Sequence, residues 1–174
     1  MSKYIKQIST QEDILYNNIL TLSRNKLFYT KFHLTDTFQN RIHLIFIHIS
    51  FIFIKIKQDK SNKKNKVFYQ KMFDLIFDKI ELNMREIGFS DTIINKNMKF
   101  LVKTFYNILH NCESYRTMTM QAKNKFFVKN LELNNMKNNT NNKGIIAYFD
   151  SYEAFCFDLS HDSVLKDELK FKYI

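Results

Sequence analysis

Apolar residues recur every three or four positions over most of this chain, and the polar breaks between those stretches divide it into helices. Near the start, Ser9-Thr10-Gln11-Glu12 has the form of a capping box, in which a hydroxyl and a carboxylate satisfy free amide donors. Ile14, Leu15, Ile19 and Leu22 then follow on one face of a helix ending near Arg24. Phe28 and Tyr29 open a short second segment. Thr35, Asp36 and Thr37 supply side-chain acceptors just ahead of the most apolar run of the chain, Ile42 to Ile54.

The clearest helix comes next: Tyr69, Met72, Phe73, Ile76, Ile80, Met84 and Ile87 are spaced by three and four, and Gly88 offers a left-handed stop. Ser90 or Asp91 starts its successor, which carries Ile94, Met98, Leu101, Val102, Phe105 and Leu109 on one face and ends near Asn111. The short connection predicts antiparallel packing of the two. A weaker helix spans about 120–133, and 144–159 reads as another, with Ile145, Tyr148, Phe149, Tyr152, Phe155 and Cys156 apolar. Ser160 then caps a short last turn through Leu165 and Leu169. Two polar stretches interrupt the pattern: the lysine-rich 55–66, read as a solvated linker, and the asparagine-rich 134–143, read as a flexible loop. The expectation is an all-α fold, one domain over 1–174, of about six to eight helices around a buried central helix.

That central helix is also a membrane candidate. Ile42 to Ile54 is 13 residues, about 20 Å as a helix, against roughly 30 Å of hydrocarbon. Arg41 and Lys55 close the run, and His43, His48 and Ser50 interrupt it, so a buried helix is preferred to a span and, by its length and flanks, to a buried strand. His43 and His48 lie five residues apart, about 140° around a helix, too far round for a metal pair. Their ordinary reading is a hydrogen-bonded interior or partner-facing histidine.

Composition sharpens this picture. With 18 Phe, 9 Tyr, two Gly and no Trp or Pro among 174 residues, the chain suits unbroken helices rather than a turn-rich sheet fold. The excess of Ile, Asn and Lys looks like drift in an AT-rich genome, which discounts the β propensity of its isoleucines. Cys112 and Cys156 form no motif and read as reduced, partly buried thiols. The N-terminal stretch lacks the apolar core of a secretory signal, and Glu12 and Asp13 do not suit a transit peptide.

Net charge is +10, with +13 in the first 144 residues and −3 in the rest. A positive body with an acidic end suits an anionic partner, either phosphate-rich RNA or an anionic membrane surface. No glycine-rich phosphate loop is possible with glycines only at 88 and 144, and no Gly-flanked serine elbow occurs. Asp74 and Asp78 lie one turn apart, a spacing commoner for solubilising charge than for an acid dyad. No enzyme, cofactor or metal is expected. Lys99, Lys103, Phe105 and Tyr106 interleave charge with rings; Phe105 reads as core and Tyr106 stays open.

One ordered set of short motifs remains. Phe28-Tyr29 is followed by Thr35-Asp36-Thr37, by Asn40-Arg41-Ile42-His43 and by His48. Downstream stand Phe73-Asp74, Phe77-Asp78-Lys79, Met84-Arg85-Glu86-Ile87-Gly88-Phe89-Ser90-Asp91, Asn95-Lys96, Lys99 and Phe105-Tyr106-Asn107. Over residues 28–115 this order resembles the ubiquinol-cytochrome c chaperone family, assembly factors for cytochrome b of respiratory complex III. The family pattern has Pro where Thr35 stands, Gly at Asn40, Asn95 and Asn107, Phe at Ile42 and Asp at His43, so the chain departs from it mainly by losing Gly and Pro.

The resemblance implies an all-helical, non-enzymatic chaperone that binds cytochrome b, acts with a small helical partner protein and sits near ribosomes at an inner membrane. Without a transit peptide, the expected place is the bacterial cytoplasm, peripheral to the cytoplasmic face of the inner membrane. Its client surface would comprise Asp36, Arg41, His48, Arg85, Glu86, Asp91, Lys96, Lys99 and Tyr106. On sequence alone, Arg41, Arg85, Glu86 and Asp91 serve equally well as an internal ion-pair network fixing helix order. A basic helical RNA- or ribosome-binding module without a cytochrome client is the alternative, and no DNA partner is expected.

Overall fold

In a computed structural model, which describes residues 10–58, 63–133, 142–160 and 170–173, the chain has an all-α fold. Among the described residues there are seven α-helices: α1 Gln11–Ser23, α2 Lys26–Thr30, α3 Phe38–Lys57, α4 Lys63–Ile87, α5 Asp91–Glu113, α6 Met120–Asn130 and α7 Lys143–Asp158, with a 3₁₀ turn at Tyr115–Thr117. The predicted capping box exists, displaced by one residue. Thr10 accepts from the Asp13 amide, and the Asp13 carboxylate accepts from the Thr10 amide. Thr37 caps α3 through the amide of Asn40, and Gly88 ends α4 with φ +94°, a conformation that glycine adopts without steric cost.

The apolar run is the axis of the fold. Of the α3 residues, Leu44, Phe46, Ile47, His48, Ile49, Ser50, Phe51, Ile52 and Phe53 have no exposed surface, because α1, α4, α5 and α7 pack around them. At 20 residues α3 is longer than the apolar run itself, about 30 Å, so length alone does not keep it out of a bilayer. Its histidines, serine and flanking charges do: no helix among the described residues is long and apolar enough to cross a membrane. Ser50 gives its hydroxyl proton to the carbonyl of Phe46 inside the same helix, so that polar group is satisfied within α3.

Several boundaries differ from the sequence reading; α6, for one, ends at Asn130 rather than Leu133, and α5 runs on to Glu113. The lysine-rich break is short, because Lys55 and Lys57 form the last turn of α3 and α4 already begins at Lys63. Lysines at a helix C-terminus complement its partial negative charge, and Lys55 also donates to the carbonyl of Phe157 in α7. Of the asparagine-rich stretch, Asn142 and Lys143 start α7, while 134–141 lies outside the described residues. The last turn expected around Leu165 and Leu169 also lies outside them, as does Ser9. Ile87, read as core by its spacing, is 59% exposed. Cys112 and Cys156 are free thiols buried in the core, and burial pushes both thiols up in pKa.

Asn40 stands where the resembled pattern would have glycine. It is buried, and its amide donates to the carbonyls of Thr35 (2.8 Å) and Glu132 (2.9 Å) while accepting from the amide of Glu132 (2.8 Å). The side chain thereby fastens the start of α3 to the chain after α6, beside the isolated bridge of Leu34 and Leu133. Asn40→Ala should cost about 1 kcal/mol, since the Glu132 amide loses its partner while the carbonyls of Thr35 and Glu132 still accept from the amides of Thr37 and Thr35. A urea midpoint equal to that of the parent would contradict this role. At Asn95 and Asn107, by contrast, the side chains are exposed on α5, where no close backbone approach demands glycine.

Candidate functional site

Charged residues at the end of α4 and the start of α3 converge on a groove. Its floor is apolar, made by Tyr16 and Leu20 of α1, Ile42 and Ile45 of α3 and Ile80 of α4, with Phe38 and Ile87 at its ends. Ser23, Arg24, Arg41, Asn83 and Glu86 form the polar part of its lining. The cavity measures about 160 Å³, close to the size that admits a benzene-sized group. A single aromatic or aliphatic side chain fits there better than a whole helix face.

Local structure orients that rim. Arg41 binds Asp36 in bidentate fashion, Nε to Oδ1 and Nη2 to Oδ2, both at 2.7 Å, and the guanidinium holds the Asp36 carboxyl below the usual carboxylate range. Both side chains are half exposed, so solvent screens the pair and it adds little to stability. Its effect is to fix where Arg41 stands. Arg85 donates to Glu81 one turn back (2.7 Å) and to Asp91 at the start of α5 (2.6 Å), tying the two helices across the Gly88 turn. In place of one network there are two separate groups, the pair of Asp36 with Arg41 and the triad Glu81-Arg85-Asp91, and among the described residues Glu86 belongs to neither.

The nine residues singled out from sequence fall into separate places. Arg41 and Glu86 line the groove and Asp36 holds Arg41 at its margin, whereas Arg85 and Asp91 tie α4 to α5 and are not part of the lining. Lys96, Lys99 and Tyr106 stand on the outer arc of α5, which contributes no residue to the groove. His48 is misplaced in a client surface, because it has no exposed area. Its Nδ1 faces the carbonyl of Leu44 at 2.7 Å and so must carry the proton, which leaves Nε2 to accept from the hydroxyl of Tyr148 at 2.9 Å. Burial drives its pKa down to about 4, so it is a neutral internal link between α3 and α7. His43, also buried, faces the carbonyl of Asn130 through Nδ1 and looks elsewhere.

Sequence reasoning missed Asn83 and the exposed Ile87 at the groove, and Ile93 and Phe100 on α5. The last two were visible in the pattern: each stands one position before a core residue, Ile94 or Leu101, and so falls off the buried stripe. A second depression of about 360 Å³ lies beside Gln39, Asn40 and residues 128–132, and it adjoins the Asn40 fastening.

The family model for the ubiquinol-cytochrome C chaperone matches residues 30–171. Among solved structures, the crystal structure of the Cbp3 homolog from Brucella abortus superposes with a TM-score of 0.79 at 20% identity, covering 94% of this chain and 89% of that one. At that identity the likeness speaks for the fold. No curated protein matches.

Proposed function

The chain belongs to the ubiquinol-cytochrome c chaperone family, and from that premise we propose that it is a non-enzymatic assembly factor binding cytochrome b on its way into respiratory complex III. It would work at the periphery of a bacterial inner membrane. The observation that carries the client reading is the groove between α1, α3 and α4: an apolar floor sized for one anchoring side chain, with Arg41 and Glu86 of opposite sign in its lining. Burying one large apolar side chain contributes about 1.5–3 kcal/mol. Rim charges select and orient more than they tighten. Such a site holds a client loosely, and a chaperone has to release what it binds.

The test is capture of cytochrome b from detergent-solubilised membranes by tagged protein. Asn83→Trp, which fills the groove, should lower the captured cytochrome b by roughly tenfold or more, the loss of one anchor's burial energy, and Glu86→Arg, which reverses one rim charge, should lower it by less. Both positions are exposed, so the melting temperature should hold. Full capture by both folded variants would refute a client site in this groove, and normal complex III in cells lacking the chain would refute the function itself.

A further inference from the structure

We propose that the outer arc of α5 is a docking face for an anionic lipid bilayer; this rests on the membrane-peripheral reading above and gives it a surface. The inner stripe of α5, including Ile94, Leu101 and Phe105, is buried in the core. At 100° per residue the opposite side presents, in order around the helix, Ile93 and Phe100, then Lys96, Lys103 and Lys99, then Tyr106. Ile93 is 46% exposed, Phe100 59% and Tyr106 49%, an unusual load of large apolar surface for one helix side. Between Thr92 and Cys112 there are three lysines and no acid. None of the three lysines is ion-paired among the described residues.

Charge and shape select the partner. Lysine stems lie along apolar surface while their ammonium groups reach outward, which lets Ile93 and Phe100 enter the headgroup boundary as the charges meet lipid phosphates. A nucleic acid is a poorer match. Aliphatic Ile93 offers no stacking face, the arc is convex where single strands favour a groove, and the cations are lysines without the planar fork of arginine. The membrane face and the client groove use different residues, so one molecule can hold both at once.

Flotation of the full chain with phosphatidylcholine vesicles, with and without phosphatidylglycerol, tests this. Binding should require phosphatidylglycerol and weaken with salt. Replacing Lys96, Lys99 and Lys103 together by Gln should lower it on the order of a hundredfold, and Phe100→Ser about tenfold. Circular dichroism of each variant confirms folding. In detergent, where no bilayer is present, Phe100→Ser should still capture cytochrome b, whereas Asn83→Trp should keep vesicle binding and lose the client. The docking face would thus fail separately from the client groove. Equal binding to both vesicle types, or binding indifferent to both Phe100→Ser and the lysine changes, overturns the proposal. So does lysine-dependent binding of a polyuridine RNA by protein that ignores vesicles.

Discussion

Phe105→Ala is expected to lower the melting temperature by on the order of 10 °C, through a loss of about 3–5 kcal/mol. The ring is 1% exposed and meets Phe46, Phe53, Phe73 and Phe77 at centroid distances of 5.2, 6.0, 5.6 and 5.9 Å, mostly edge to face. It is the point at which α3, α4 and α5 touch one another. Removing it leaves a cavity walled by four rings that are each held by other contacts, so the site collapses poorly. The better helix propensity of alanine returns only about 0.5 kcal/mol. Phe100→Ala, on the outer side of the same helix, is the control and should change stability by about 0.5 kcal/mol or less. Equal losses at the two positions would mean that α5 is not seated as described.

Acid should destabilise the fold through His48. Its pKa falls from the ordinary 6.5 in the unfolded chain to about 4 in the folded one, so between those values the unfolded chain binds the extra proton. Stability from this group is therefore complete above about pH 6.5 and is lost as pH falls toward 4, a total of roughly 3 kcal/mol. His43, lowered by the same cause, acts in the same direction. Glu153 acts oppositely, since burial raises its carboxyl and its protonation favours the folded state. The contribution of His48 is isolated by subtraction. His48→Gln should be less stable than the parent at neutral pH, because the link to Tyr148 is disturbed, and the gap should close as pH drops from 6.5 to 4. A gap constant with pH would show that His48 does not stay neutral in the core.

Much of the architecture was legible because it is local. The spacing of Met72, Ile76, Ile80 and Met84 names both a helix and its buried face, and Thr37 and Gly88 mark ends through chemistry confined to a few residues. Helix lengths were harder to read. Lys55, Lys57 and Lys63 look like linker by charge, yet lysine is a good helix former and is favoured in a last turn. The site was legible only in part. Arg41 and Glu86 stand out by their place in the motif order, but that they share a groove depends on how α3 crosses α4, which no local pattern encodes. His48 failed for the same reason: its polar partner, Tyr148, is 100 residues away. A histidine inside an apolar run advertises a need for a partner, and whether the partner is internal or external is a tertiary fact.

The link between His48 and Tyr148 also has a consequence in time. The two residues are 100 positions apart, and Lys55 and Phe157 are 102 apart. During synthesis at about 5–20 residues per second, α3 leaves the ribosome on the order of 5–20 s before α7 can cover it. Over that interval one flank of the most apolar segment of the molecule has no permanent neighbour. A protein that shelters other chains thus passes through a stage in which its own centre needs shelter, and slow translation would prolong it.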